Sequence, residues 1–102
     1  MGDSFILNVS FVMPPVLVDE WEAWRNKEID KFLMENPCLK SETFEVVSEQ
    51  PGGNALFSVQ WRCCSLEEVK VIDKFLSSAL PGLSLLFGDR VNHFSSLMKK
   101  VG

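Results

Sequence analysis

The sequence predicts a small α+β domain over residues 1–102, ferredoxin-like, with the order β-α-β-β-α-β and a four-stranded antiparallel sheet. Three observations predict it. Stretches of period two recur near the start, in the middle and at the end of the chain; two stretches of helical period separate them; and a Pro/Gly turn joins the two middle strands.

The first strand is Phe5 to Val12: Phe5, Leu7, Val9 and Phe11 share one wholly apolar face, and Ile6, Asn8, Ser10 and Val12 share a mixed one. Pro14-Pro15 ends it, because proline brings no ladder donor. From Val18 to Glu35 the period lengthens, and Val18, Trp21, Trp24, Ile29, Phe32 and Leu33 form a helical stripe. Arg25 and the other charges of this segment read as a solvated face, with Glu28 near the stripe's edge. Asn36-Pro37 stops the helix.

A second strand is expected over Glu42–Gln50, with Phe44 and Val46 on one face. Pro51-Gly52-Gly53-Asn54 is a turn signal, and Ala55–Cys63 alternates again, with Phe57, Val59 and Trp61 opposed to Ser58, Gln60 and Arg62. Ser65-Leu66-Glu67-Glu68 matches a capping box. The helix it opens turns Leu66, Val69, Ile72, Phe75, Leu76 and Leu80 inward and is expected to break at Pro81-Gly82. Gly88-Asp89 reads as a turn, and Arg90–Met98 as the last strand.

Right-handed crossovers place both helices on one face of the sheet, with the first and third strands at its centre. The odd-numbered apolar sets then face the helices. Asn8, Ser10, Ser58, Gln60 and Arg62 meet on the uncovered face, together with Ile6, Val12 and Leu56. Two such mixed faces can close on each other, which predicts a homodimer of the α/β-barrel kind with a cavity between subunits.

Composition narrows the partners. The hydrophobic fraction is 46 %, with eight Phe and three Trp, so one core forms and apolar surface is left over. The net charge is −4, and Lys99-Lys100 is the one adjacent basic pair, which argues against nucleic acid. No apolar run reaches the ~20 residues of a membrane span, so no membrane partner is expected. Three cysteines without a secretory leader point to free thiols and a cytoplasmic protein. Gly2 is followed at residue 6 by Ile, where a myristoylation site needs Ser or Thr.

Taken together, Asn8-Val9-Ser10, Trp21-x-x-Trp24, Phe57-Ser58-Val59-Gln60-Trp61, Ser65-Leu66-Glu67 and Phe87-Gly88-Asp89-Arg90, followed by Phe94, Ser96 and Leu97, stand in a telling order and spacing. Over nearly the whole chain the sequence resembles the bacterial family of unknown function numbered 4286, small proteins related to the dimeric α/β-barrel group. The resemblance implies the ferredoxin-like fold and the dimer, and no reaction. Two departures stand out. The family's first helix commonly carries a His followed by Ile-Pro, where this chain has Glu28-Ile29-Asp30, and the segment from Pro81 to Phe87 is shorter than usual.

Each candidate site has a plainer reading beside it. His93 is the single histidine, and an imidazole can move protons near neutral pH, but no carboxylate is placed in sequence to orient it. A solvated or hydrogen-bonded structural histidine is the simpler reading, and its face is undecided by the mixed pattern of the last strand. Cys63-Cys64 are strand neighbours that point to opposite faces, so neither a disulfide nor a shared metal is expected, and with Cys38 and His93 they lack zinc-ligand spacing. A single reactive thiol has no sequence mark here. Trp21 and Trp24 read as core rather than as a stacking platform. Gly52-Gly53 is a hairpin turn and not a phosphate loop.

The best ligand-binding candidates are Asn8, Ser10, Ser58, Gln60 and Arg62: a partly apolar cavity with a few donors suits a small organic ligand, and Arg62 suits its carboxylate. The plainer reading is a dimer interface whose polar groups satisfy one another. Three functions compete: a non-catalytic homodimer binding a small molecule or a protein; a cofactor-independent monooxygenase or haem-degrading enzyme, suggested by fold analogy and dependent on His93; and a purely structural dimer. No residue pattern names a cofactor.

Overall fold

A computed structural model describes residues 4–47 and 53–102. The elements run β1 (Phe5–Met13), α1 (Val18–Glu35), β2 (Lys40–Glu45), β3 (Ala55–Cys63), α2 (Leu66–Phe87) and β4 (Asn92–Lys99). All pairings are antiparallel and the strand order is β2-β3-β1-β4, so the two long alternating strands hold the centre as expected. This is the ferredoxin-like α+β fold.

Parity decides what each central strand buries. Leu7, Val9, Phe11 and Met13 of β1 and Phe57, Val59, Trp61 and Cys63 of β3 are buried, while the residues between them are half-buried on the other side. Both helices lie on the odd-numbered face. Trp21 of α1 stacks on Phe57 at 4.7 Å between ring centroids and tilts against Phe11 at 5.1 Å. Phe32 of α1 and Phe75 of α2 stack at 4.2 Å, and both meet the edge of Trp61. Such ring geometry adds roughly 0.5–1.5 kcal/mol per pair beyond area burial. The Trp21 side chain is fully enclosed, which makes it a core residue.

Local chemistry sets the ends of the helices. β1 gives way at Pro14 to a short 3-10 turn, Pro15–Leu17, closed by Leu17 N–H to the Pro14 carbonyl at 3.0 Å. At the far end of α1 the Asn36 side chain donates to the Phe32 carbonyl at 3.0 Å, occupying an acceptor that the helix leaves over. Ser65 caps α2 by accepting from the Glu68 N–H at 3.3 Å. Glu68 reaches back to the Cys64 N–H at 2.8 Å, one residue earlier than in the standard box. Gly88 ends α2 with φ +61°, a backbone region that L side chains rarely adopt.

Several expectations are corrected. α2 does not break at Pro81-Gly82 but continues to Phe87. A proline inside a helix forfeits a hydrogen bond at a cost of ~3 kcal/mol. Here Leu83 and Phe87, one and two turns around from the buried Ala79, are themselves buried, and their burial at ~1.5–3 kcal/mol each outweighs the loss. The continued helix passes, by length and composition, as apolar enough to cross a membrane, with mean hydropathy 1.3 over its best window. Yet Ile72, Leu76, Ala79, Leu83 and Phe87 recur at three- and four-residue spacing and join this helix to the core beneath it.

β2 begins at Lys40 and ends at Glu45 rather than spanning Glu42–Gln50, although Val46 N–H still reaches the Leu56 carbonyl at 2.9 Å. The expected continuation to Gln50 and the Pro51-Gly52 half of the turn lie outside the described residues. β4 starts at Asn92, after a 3-10 turn over Gly88–Arg90. Arg25 is not on a solvated face: it is half-buried, its Nη1 donates to Thr43 Oγ1 at 3.1 Å, and its guanidinium lies 5.6 Å from the Trp21 ring centroid.

Candidate functional site

The uncovered face of the sheet is built by register. Asn8 stands opposite Gln60 and Ser96, Ser10 opposite Ser58 and Phe94, and Val12 opposite Leu56 and Asn92. β2 adds Lys40 beside Arg62, Glu42 beside Gln60 and Phe44 beside Ser58. Four of the five candidates predicted from sequence meet at the centre. Asn8 Nδ2 donates to Ser10 Oγ at 3.1 Å, Ser58 Oγ donates to Asn8 Oδ1, and Gln60 Nε2 donates to Ser58 Oγ at 3.3 Å. Each strand contributes alternate residues, and the Ser58–Asn8 hydrogen bond joins the β3 pair to the β1 pair.

Arg62, the fifth, shares the face but not the network. Its Nε donates to Glu42 Oε1 at 2.8 Å, a pair in which both side chains keep over a third of their surface. Exposed ion pairs of this kind are worth about 0–1 kcal/mol. Arg62 lines a cleft of about 340 Å³ at one end of the face with Ser4, Ile6, Met98, Lys99 and Lys100; Asn8, Ser10, Ser58 and Gln60 do not line it.

Apolar residues surround the polar centre. Ile6, Val12 and Leu56 were legible from the parity of the central strands. Phe44, Val46, Phe94 and Met98, all substantially exposed, were not assigned there by sequence. The parity of β2 and β4 could have placed them had the register been known. Glu42 was missed for the same reason: it shares parity with Phe44 and stands one row from Arg62.

His93 pairs with Phe11 and lies on the helix side of the sheet, at the exposed edge strand, with its ring 6.2 Å from that of Phe11. It is therefore on the opposite face from the Asn8 network. Cys63 is buried and Cys64 exposed, as alternation requires, and Cys38 is exposed in the α1–β2 connection. Among the described residues no group of three or more His, Cys, Asp or Glu side chains is arranged to hold a metal ion.

Among solved structures the chain is similar to a de novo designed protein, Foldit4, with a TM-score of 0.68 and 10 % identity over 97 % of this chain and 100 % of that one. At such identity the likeness bears on the fold alone. No curated protein matches the chain. The model of one family covers residues 4–101, nearly everything that the sheet and helices are made of. The chain belongs to that family, described as a domain of unknown function, DUF4286.

Proposed function

We propose that the protein is a homodimer in which two open sheet faces close on each other, forming a binding or interaction module with space for a small organic ligand between the subunits. The observation that carries this reading is the composition of the open face: a polar centre already hydrogen-bonded within itself, ringed by Ile6, Val12, Leu56, Phe44, Phe94 and Met98. Self-satisfied polar groups can be covered at little cost, whereas exposed apolar ones gain from being covered. The plan area of the face, nine residues at ~3.3 Å by four strands at ~4.8 Å, is on the order of 600 Å². Side-chain relief raises the accessible area toward the ~800 Å² per partner of a standard interface.

Binding is favoured over catalysis because His93 stands on the other face, so a cavity between closed sheets would hold no imidazole. Light scattering at micromolar concentration tests the assembly: a mass of twice 11.5 kDa is expected, and 11.5 kDa overturns it. Phe94→Asp on the open face should give the monomer, whereas Leu85→Asp on the exposed side of α2 should leave the dimer intact. The reverse result would move the interface to the helices.

A further inference from the structure

We infer that the cleft between the two helices binds an organic cation, a primary ammonium carried on a short aromatic or alkyl body. α1 lines this cleft with Glu20, Trp24, Lys27 and Glu28, and the last two turns of α2 line it with Gly82 and Leu86. Its volume of about 460 Å³ falls in the ~300–1,000 Å³ range of small-molecule sites. It lies on the other side of the sheet from the proposed interface and is complete within one protomer, so occupancy of the cleft and mass in solution are independent results.

Helical spacing arranges the chemistry. Glu20, Trp24 and Glu28 follow one another at four-residue intervals, so each stands one turn from the next along one side of α1. Trp21 is fully enclosed, whereas Trp24 is half-buried: its ring meets Phe11 edge-on at 6.3 Å and still borders the cleft. An indole face attracts a cation, and carboxylates one turn to either side can accept its ammonium N–H groups. Among the described residues Glu20 and Glu28 make no ion pair, with Lys27 or with any other base. Two carboxylates against one ammonium leave the cleft negative, in a chain whose net charge of −4 also favours cations. The nearby Arg90 turns its Nε to the Phe87 carbonyl and does not line the cleft.

α2 supplies the apolar wall and the room. Leu86 is 64 % exposed, so a ligand body laid against it takes apolar surface out of water. At Gly82 a Cβ would meet no atom within 4 Å, so the lack of a side chain there leaves the wall open. A hydrated metal ion gains nothing from Leu86, and a neutral aromatic gains nothing from the carboxylates. An organic ammonium uses both.

The test uses the uniformly ¹⁵N-labelled full chain titrated with 2-phenylethylammonium chloride, with methylammonium, 2-phenylethanol and 3-phenylpropionate as controls. The amine should shift the Trp24 indole N–H signal saturably, identified by its loss in Trp24→Phe, and leave that of the enclosed Trp61 in place. Each control should bind roughly tenfold more weakly or worse, since it lacks the body, the charge or the right sign. Glu28→Gln should weaken the amine roughly tenfold as a charge-assisted contact is lost, and Lys27→Gln should tighten it about threefold as a like charge leaves. Gly82→Leu should fill the cleft and abolish binding while the spectrum stays dispersed, because the added Cβ meets open space and leucine favours the helix. Equal binding of phenylethanol would reduce the cleft to an apolar patch, and equal binding of methylammonium would reduce it to surface charge. Unchanged binding by Gly82→Leu, or shifts centred on Ile6, Phe94 and Met98, would put the ligand elsewhere. Any of these, or a Trp24 signal that does not move, overturns the inference.

Discussion

The two faces of one sheet carry alternate residues of the same strands, yet they are organised by different physics. On the helix side Val9, Val59 and Trp61 are wholly or almost wholly removed from water and held by packing. On the open side Asn8, Ser10, Ser58 and Gln60 are half-buried and held by hydrogen bonds to one another. The first face is closed within the protomer. The second is left with apolar residues around a hydrogen-bonded centre, the feature on which the proposed closure by a second copy rests. Fold stability therefore belongs to one parity of the central strands, and the proposed recognition to the other.

The contrast breaks most sharply at Trp61. Replacing it by alanine empties a site packed against Phe32 and Phe75, and should cost ~3–5 kcal/mol in urea unfolding. Trp61→Phe should cost much less, because the lost ring volume is partly offset by removing an indole N–H that has no hydrogen-bond partner. A small effect of the alanine variant would mean that the helix side does not carry the stability.

On the open face the expected effects are smaller and depend on assembly. Asn8→Ala strips a partner from Ser10 and Ser58 and should cost about 1 kcal/mol, since water can reach groups that are only half-buried. If the face is closed by a second copy, the midpoints of this variant and of the wild type should both shift with protein concentration. A concentration-independent midpoint for both would leave the face open. Smallest of all is Glu42→Gln, expected to change stability by less than ~1 kcal/mol because both partners of the ion pair remain exposed. A loss well above that, measured by the same unfolding series, would mean that Arg62 sits in a drier place than a single protomer provides.

Legibility in the sequence followed the strength of each local pattern. β1 and β3 were readable because their apolar faces are uninterrupted, so parity alone separated core from open face and gathered Asn8, Ser10, Ser58 and Gln60. β4 was not, because Val91, His93, Ser95 and Leu97 are as mixed as Asn92, Phe94, Ser96 and Met98. Only the pairing of His93 with Phe11 assigns its side. Arg25 looked like a solvated charge because its neighbours on the helix are charged, while its contacts with Thr43 and Trp21 are made across 18 residues and one helical turn.

By itself the sequence determined the order of elements, the central pair of strands, the buried parity of β1 and β3, the Ser65 cap and the family, because these depend on short-range periodicity and on residues a few positions apart. Tertiary structure alone decided the rest. Buried Leu83 and Phe87 carried α2 through Pro81, since core contacts outweigh one missing hydrogen bond. Register placed Phe44 and Phe94 on the open face and His93 behind it. It also set Lys40, Arg62, Ile6 and Met98 side by side on that face, because lateral neighbours in a sheet are set by which strands pair and at what offset, a relation that no local pattern contains.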